Sequence, residues 1–78
     1  MQNVRDQEVL DRFASRLKEL RRDAELTQEQ LSYKSGLTLS QIARIETGKL
    51  NSTICTVVVL ARALDVDPSE LMRLDPSK

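Results

Sequence analysis

Apolar residues recur at helical spacing in five separate stretches, and polar residues fill the gaps between them. Over residues 6–24, Leu10, Phe13, Leu17, Leu20 and Ala24 form one stripe, while Arg12, Arg16, Lys18, Glu19 and Arg22 cover the other faces; this predicts an amphipathic first helix after a loose arm at residues 1–5. Two short helices are predicted over residues 28–35 and 39–46, with Leu31, Leu37, Ile42 and Ile45 turned towards a shared core. A fourth, over residues 54–64, presents Ile54, Val57, Leu60, Ala61 and Leu64 as its inward stripe. Asp67-Pro68-Ser69-Glu70 starts a short fifth helix ending near Arg73, since proline is accommodated at the first helical position.

The polar residues at the helix ends sharpen these boundaries. Thr27 with Gln30, and Thr38 with Gln41, are capping boxes, in which side chains satisfy backbone groups that a helix start leaves unpaired. Thr53 caps the fourth helix, and Gly48 ends the third by taking the left-handed conformation cheaply. Glu25 and Asp65 occupy equivalent end positions, where a residue with a side chain is mildly strained. Residues 27–47 therefore read as two short helices joined by a tight turn at Gly36, an arrangement that docks its second helix in a DNA major groove.

Composition agrees with an all-α class: 2 Gly, 2 Pro and only 3% aromatic residues in 78. A single domain of this size buries about 60% of the surface its unfolded chain exposes, so a partner subunit would add stability. One cysteine and no histidine exclude an internal disulfide and a zinc site. No cofactor is expected, and no carboxylate pair is placed for acid–base chemistry, so the chain does not read as an enzyme. A signal peptide and a bilayer-spanning apolar run are both lacking, which makes a reduced cytoplasm the expected setting, without membrane contact.

The net charge of +0 argues against a generic electrostatic nucleic-acid binder. Its distribution is uneven, however. Residues 26–64 carry Lys34, Arg44, Lys49 and Arg62 against Glu29 and Glu46 alone, and the tail from Asp65 onwards is acidic.

The run Leu26-Thr27-Gln28, Leu31, Gly36-Leu37-Thr38, Ser40, Ile42, Arg44-Ile45-Glu46, Gly48-Lys49 and Asn51, continued by residues 60–66 and Glu70-Leu71, resembles the phage-repressor/Cro helix-turn-helix (XRE) family over about residues 13–72. The resemblance implies a compact five-helix, lambda-repressor-like domain that binds double-stranded DNA. It implies that Gln28 contacts phosphate, that Thr38 caps the recognition helix close to the DNA backbone, and that Leu39, Ser40 and Arg44 occupy base-reading positions. Gln41 is placed to reach phosphate or a base edge, and Lys49, Asn51 and Thr53 to clamp phosphate. Among these, Arg44 is the strongest candidate for specificity, because its fork matches guanine O6 and N7; Leu39 departs from the usual polar residue and offers only an apolar contact. Gln28 and Gln41 have an alternative use as capping or solvated residues, and Ser40 and Lys49 as ordinary surface. The resemblance also pairs Arg21 with Glu46 in a largely buried bridge that orients two helices.

The fourth helix is apolar on more than one side. Cys55, Val58 and Val59, with Leu71, Met72 or Leu74, form a patch that marks residues 53–74 as a dimerisation region. The alternative is that Val58 or Val59 packs beneath the N-terminal arm. A two-fold homodimer would set two recognition helices about one DNA turn apart. The leading expectation is thus a homodimeric, sequence-specific transcriptional regulator. The competing one is a protein-interaction module that keeps the fold and binds a protein partner, favoured by net neutrality and Leu39.

Overall fold

Each of the five helices begins at a residue whose side-chain oxygen accepts a hydrogen bond from a backbone amide of the first turn. In the computed structural model, which describes residues 4–74, Asp6 accepts from Glu8 and Val9 at the start of α1 (Gln7–Asp23). Thr27 and Thr38 cap α2 (Gln28–Ser35) and α3 (Leu39–Glu46) in complete capping boxes, with Gln30 and Gln41 returning the bond to the cap amide. Thr53 caps α4 (Ile54–Leu64), and Asp67 caps α5 (Pro68–Leu71). The Ser69 amide, 2.9 Å from Asp67, holds that carboxyl below its ordinary value by stabilising the ionised form.

Three helices end in one geometry. The residue after the left-handed position donates to a carbonyl of the preceding helical turn: Leu26 to Arg21, Lys49 to Arg44 and Val66 to Ala61. The left-handed residues themselves, Glu25 (φ 59°), Gly48 (φ 74°) and Asp65 (φ 59°), donate to Arg22, Ile45 and Arg62. After α1 and α4 the residue that follows is apolar, and Leu26 and Val66 pack against the core. After α3 it is Lys49, which stays exposed while Leu50 takes the apolar role.

α1 packs on α3 and α5, α2 on α3 and α4, and α4 on α5. Leu17, Leu31, Ile42, Ile45, Leu60 and Leu71 are fully enclosed at the centre. Two stripe assignments need correction. Ala24 lies exposed at the C-cap of α1, one residue before the left-handed turn at Glu25; Ala14 is buried instead. Ile54 is 81% exposed, because it stands at the very start of α4, ahead of the point where Val57 meets the core, and Ala63 supplies the additional buried contact. α5 stops at Leu71 rather than near Arg73. Arg16 fastens it to α1, donating to the Glu70 carbonyl at 2.7 Å and to its carboxylate at 2.8 Å.

Among the described residues no helix is long and apolar enough to cross a membrane, and no group of metal-ligating side chains converges. Residues 1–3 of the expected arm lie outside the described residues.

Candidate nucleic-acid interface

α3 has a sharply divided surface. Ile42, Ile45 and Glu46 are buried beneath it, while Leu39, Ser40 and Arg44 face outwards, with Leu39 42% exposed. The Arg44 guanidinium makes no hydrogen bond or ion pair among the described residues. An outward arginine without an internal partner, fixed on a helix whose other side is locked into the core, keeps all its donors for an external acceptor.

Glu46 is the pivot of the inner face. It is only 3% exposed, and Arg21 donates to it twice, Nε to Oε2 at 2.6 Å and Nη2 to Oε1 at 3.1 Å. Arg21 Nη1 also donates to the Leu26 carbonyl at 2.8 Å. Gln28 completes the group, its Nε2 donating to Glu46 Oε1 at 2.9 Å. One buried carboxylate therefore joins α1, α2 and α3 and sets the angle at which α3 is presented. Capping at the start of α2 falls to Gln30 rather than Gln28, and the amide of Gln28 keeps one N–H beyond its bond to Glu46. Gln41 does cap: its Oε1 accepts from the Thr38 amide at 2.9 Å, and its amide nitrogen makes no hydrogen bond among the described residues.

Thr38 and Thr53 are exposed caps at the starts of α3 and α4. Between them run Lys49 and Asn51, both exposed. Asn51 Nδ2 donates to the Val4 carbonyl at 3.0 Å, so the chain ahead of α1 reaches this loop. Gln7 Nε2 donates to the Gly48 carbonyl at 2.8 Å and to Asp11 Oδ1 at 2.9 Å. Arg5 Nη2 lies 3.4 Å from the Lys49 carbonyl. Sequence patterns do not single out Arg5 and Gln7. Their partners lie far along the chain, and no local pattern announces such a bond.

The six apolar residues expected to form a patch do not share one environment. Cys55 is an exposed free thiol, Val58 and Val59 are half-buried and Met72 is 52% exposed. Leu71 is 0% exposed, and its assignment to the patch is corrected: it faces α4 and the core because it closes the inward side of a single-turn helix. Leu74 also packs partly against the core. Ile54, assigned inwards from sequence, joins the outward face of α4 instead. The arm reaches the loop after α3 through Val4 and Arg5, and among the described residues no hydrogen bond joins it to Val58 or Val59.

The Helix-turn-helix domain family matches this chain over residues 12–74. The uncharacterized HTH-type transcriptional regulator y4dJ of Sinorhizobium fredii is 40% identical over 53 residues, which is 68% of this chain and 69% of that protein. Among solved structures, the restriction-modification controller protein C.AhdI from Aeromonas hydrophila is similar, with a TM-score of 0.78 at 42% identity over 80% of this chain and 94% of its own. The controller protein C.Esp1396I, solved as a tetramer with its natural 35 base-pair operator, gives 0.77 at 30% identity over 82% and 84%.

Proposed function

The chain belongs to the helix-turn-helix domain family, in its phage-repressor-like (XRE) branch, and on that premise we propose that it is a transcriptional regulator that binds operator DNA as a homodimer. The family is one of regulators rather than enzymes. The observation that carries the reading is the outward stripe of α3, where Arg44, without a partner among the described residues, stands beside Ser40 and Leu39 on a helix anchored by Glu46.

In this reading α3 lies in the major groove. Arg44 reads guanine with its bidentate fork, Leu39 meets a thymine methyl and Ser40 approaches a base edge. Gln41 offers its free amide N–H to either acceptor. Gln28, held by Glu46, directs its second N–H at phosphate, and Thr38, Lys49, Asn51 and Thr53 follow the backbone on either side of α3. The dimer forms through Cys55, Val58, Val59 and Met72, extended by Ile54 and bordered by Leu74. Two-fold symmetry then sets the two α3 helices about 34–36 Å apart, one turn of B-DNA. Similarity to two restriction-modification controllers favours that role among the small regulators of this fold.

Selection from random duplexes, followed by a salt titration of the enriched and a scrambled sequence, tests the reading. An enriched two-fold symmetric site, bound tightly at low salt and far better than the scrambled duplex, is the expected result. Absence of any enriched sequence would refute operator recognition.

A further inference from the structure

The chain ahead of α1 does not project away from the molecule. Two hydrogen bonds join it to the loop after α3, Asn51 Nδ2 to the Val4 carbonyl and Arg5 Nη2 to the Lys49 carbonyl, and the first residue of α1 adds a third, Gln7 Nε2 to the Gly48 carbonyl. Gly48 makes this approach possible. It is buried, and a Cβ built on it would collide with the Asp11 carboxylate and come within 3.2 Å of Gln7 Nε2. The start of α1 is thus seated on the very turn that presents Lys49.

Arg5 is exposed, and it forms no ion pair with a carboxylate among the described residues. The acids nearest to it in sequence are engaged elsewhere. Asp6 caps α1, Glu8 pairs with Arg12, and Asp11 accepts from Gln7. Both of its own hydrogen bonds, to the Lys49 carbonyl and to Gln7 Oε1, are long at 3.4 Å and involve neutral acceptors. Both use Nη2, so the remaining donors of the guanidinium are left for a charged oxygen, to which a hydrogen bond is roughly twice as strong as to a neutral one.

We propose that Arg5 is a DNA phosphate ligand, carried by the segment before α1 and aimed by the Lys49 carbonyl, so that Arg5 and Lys49 act as one cationic clamp on the backbone beside α3. The assignment rests on the operator-binding reading above and extends its contact surface to a part of the chain outside the helix-turn-helix. Val4 shares the device: its carbonyl occupies Asn51 Nδ2 and fixes that amide beside the clamp.

The test measures binding of the full chain to a selected duplex and to a random-sequence duplex over a range of salt concentrations. Wild type is compared with Arg5→Ala, Arg5→Gln and Arg5→Lys. Glutamine keeps a donor for the Lys49 carbonyl but removes the charge. The expected result is that alanine and glutamine each flatten the plot of log affinity against log salt by about 1.8, or 0.9 for each of two protomers, while lysine keeps the wild-type slope. Both losses should apply equally to the two duplexes. An alanine variant with the wild-type slope would overturn the assignment, whether or not its affinity fell, since a residue that merely braces the loop leaves the slope alone. Full restoration by glutamine would overturn it too. If the wild type itself bound neither duplex, the operator-binding reading would fall together with this one. Arg5 is exposed, so thermal midpoints of the three variants should match that of the wild type.

Discussion

Two residues with side chains, Glu25 and Asp65, take the left-handed conformation that ends α1 and α4, whereas Gly48 does so after α3. For an L-residue that conformation carries a steric cost of about 1–2 kcal/mol, eased for aspartate by local hydrogen bonding. Glu25→Gly should therefore raise stability by up to about 1 kcal/mol after the added freedom of the unfolded chain is deducted. Asp65→Gly should gain less, and thermal denaturation of the two variants gives the order. These positions are legible in the sequence because a helix end is local. The anchoring of Gln28 is not, because its partner Glu46 lies on another helix and the bond exists only once α2 and α3 have docked. The same holds for Arg5 and Gln7, whose partners belong to a loop on the far side of the helix-turn-helix.

At the scale of elements, the orientation of α3 rests on one buried group. Arg21 and Glu46 are 12% and 2% exposed at their side chains, and Gln28 fills a further acceptor site. Arg21→Met leaves the carboxylate inside with only Gln28 as donor, and should cost about 3–5 kcal/mol. Replacing both with apolar residues of similar volume should recover most of that loss, because the pair offsets its own desolvation with little to spare. Urea denaturation of the two single variants and the double variant measures this coupling. Helix positions are readable down to the residue for α2, α3 and α4, because threonine caps are written in the local sequence. The facing of α4 is less so. Periodicity assigns an apolar stripe but not how far along the helix its neighbours extend, and Ile54 lies beyond them.

For the molecule as a whole, the outward face of α4 is an apolar surface left exposed. A chain of 78 residues leaves Ile54 81% and Met72 52% exposed, with Cys55 open to solvent in the first turn of α4, ahead of its half-buried valines. In a dimer joined there, Ile54→Glu should shift the chain towards monomer in sedimentation equilibrium and weaken operator binding. It should leave the folded protomer intact, because the residue has so little to lose within its own chain. Val58→Ala is the milder companion variant, removing apolar surface without adding charge. A dimeric Ile54→Glu protein with undiminished affinity would place the interface elsewhere. The charge distribution also acts at this scale. With a net charge of +0, the proposed interface draws its attraction to DNA from the local cluster of Arg5, Arg44 and Lys49, so binding should respond steeply to removal of any one of them.

In the proposed reading, DNA recognition depends most directly on Arg44 as a base reader and Lys49 as a phosphate ligand. The decisive measurement is the affinity of wild type, Arg44→Ala and Lys49→Ala for the selected operator and for its full set of single base-pair substitutions. Arg44→Ala should cost about 1–3 kcal/mol and erase discrimination at one base pair in each half-site. Lys49→Ala should weaken every duplex alike and lower the salt slope by roughly 1 for each phosphate that is no longer neutralised. A uniform fall in affinity across all sequences for Arg44→Ala, with every base preference intact, would contradict the assignment of α3 as the element that reads DNA through Arg44.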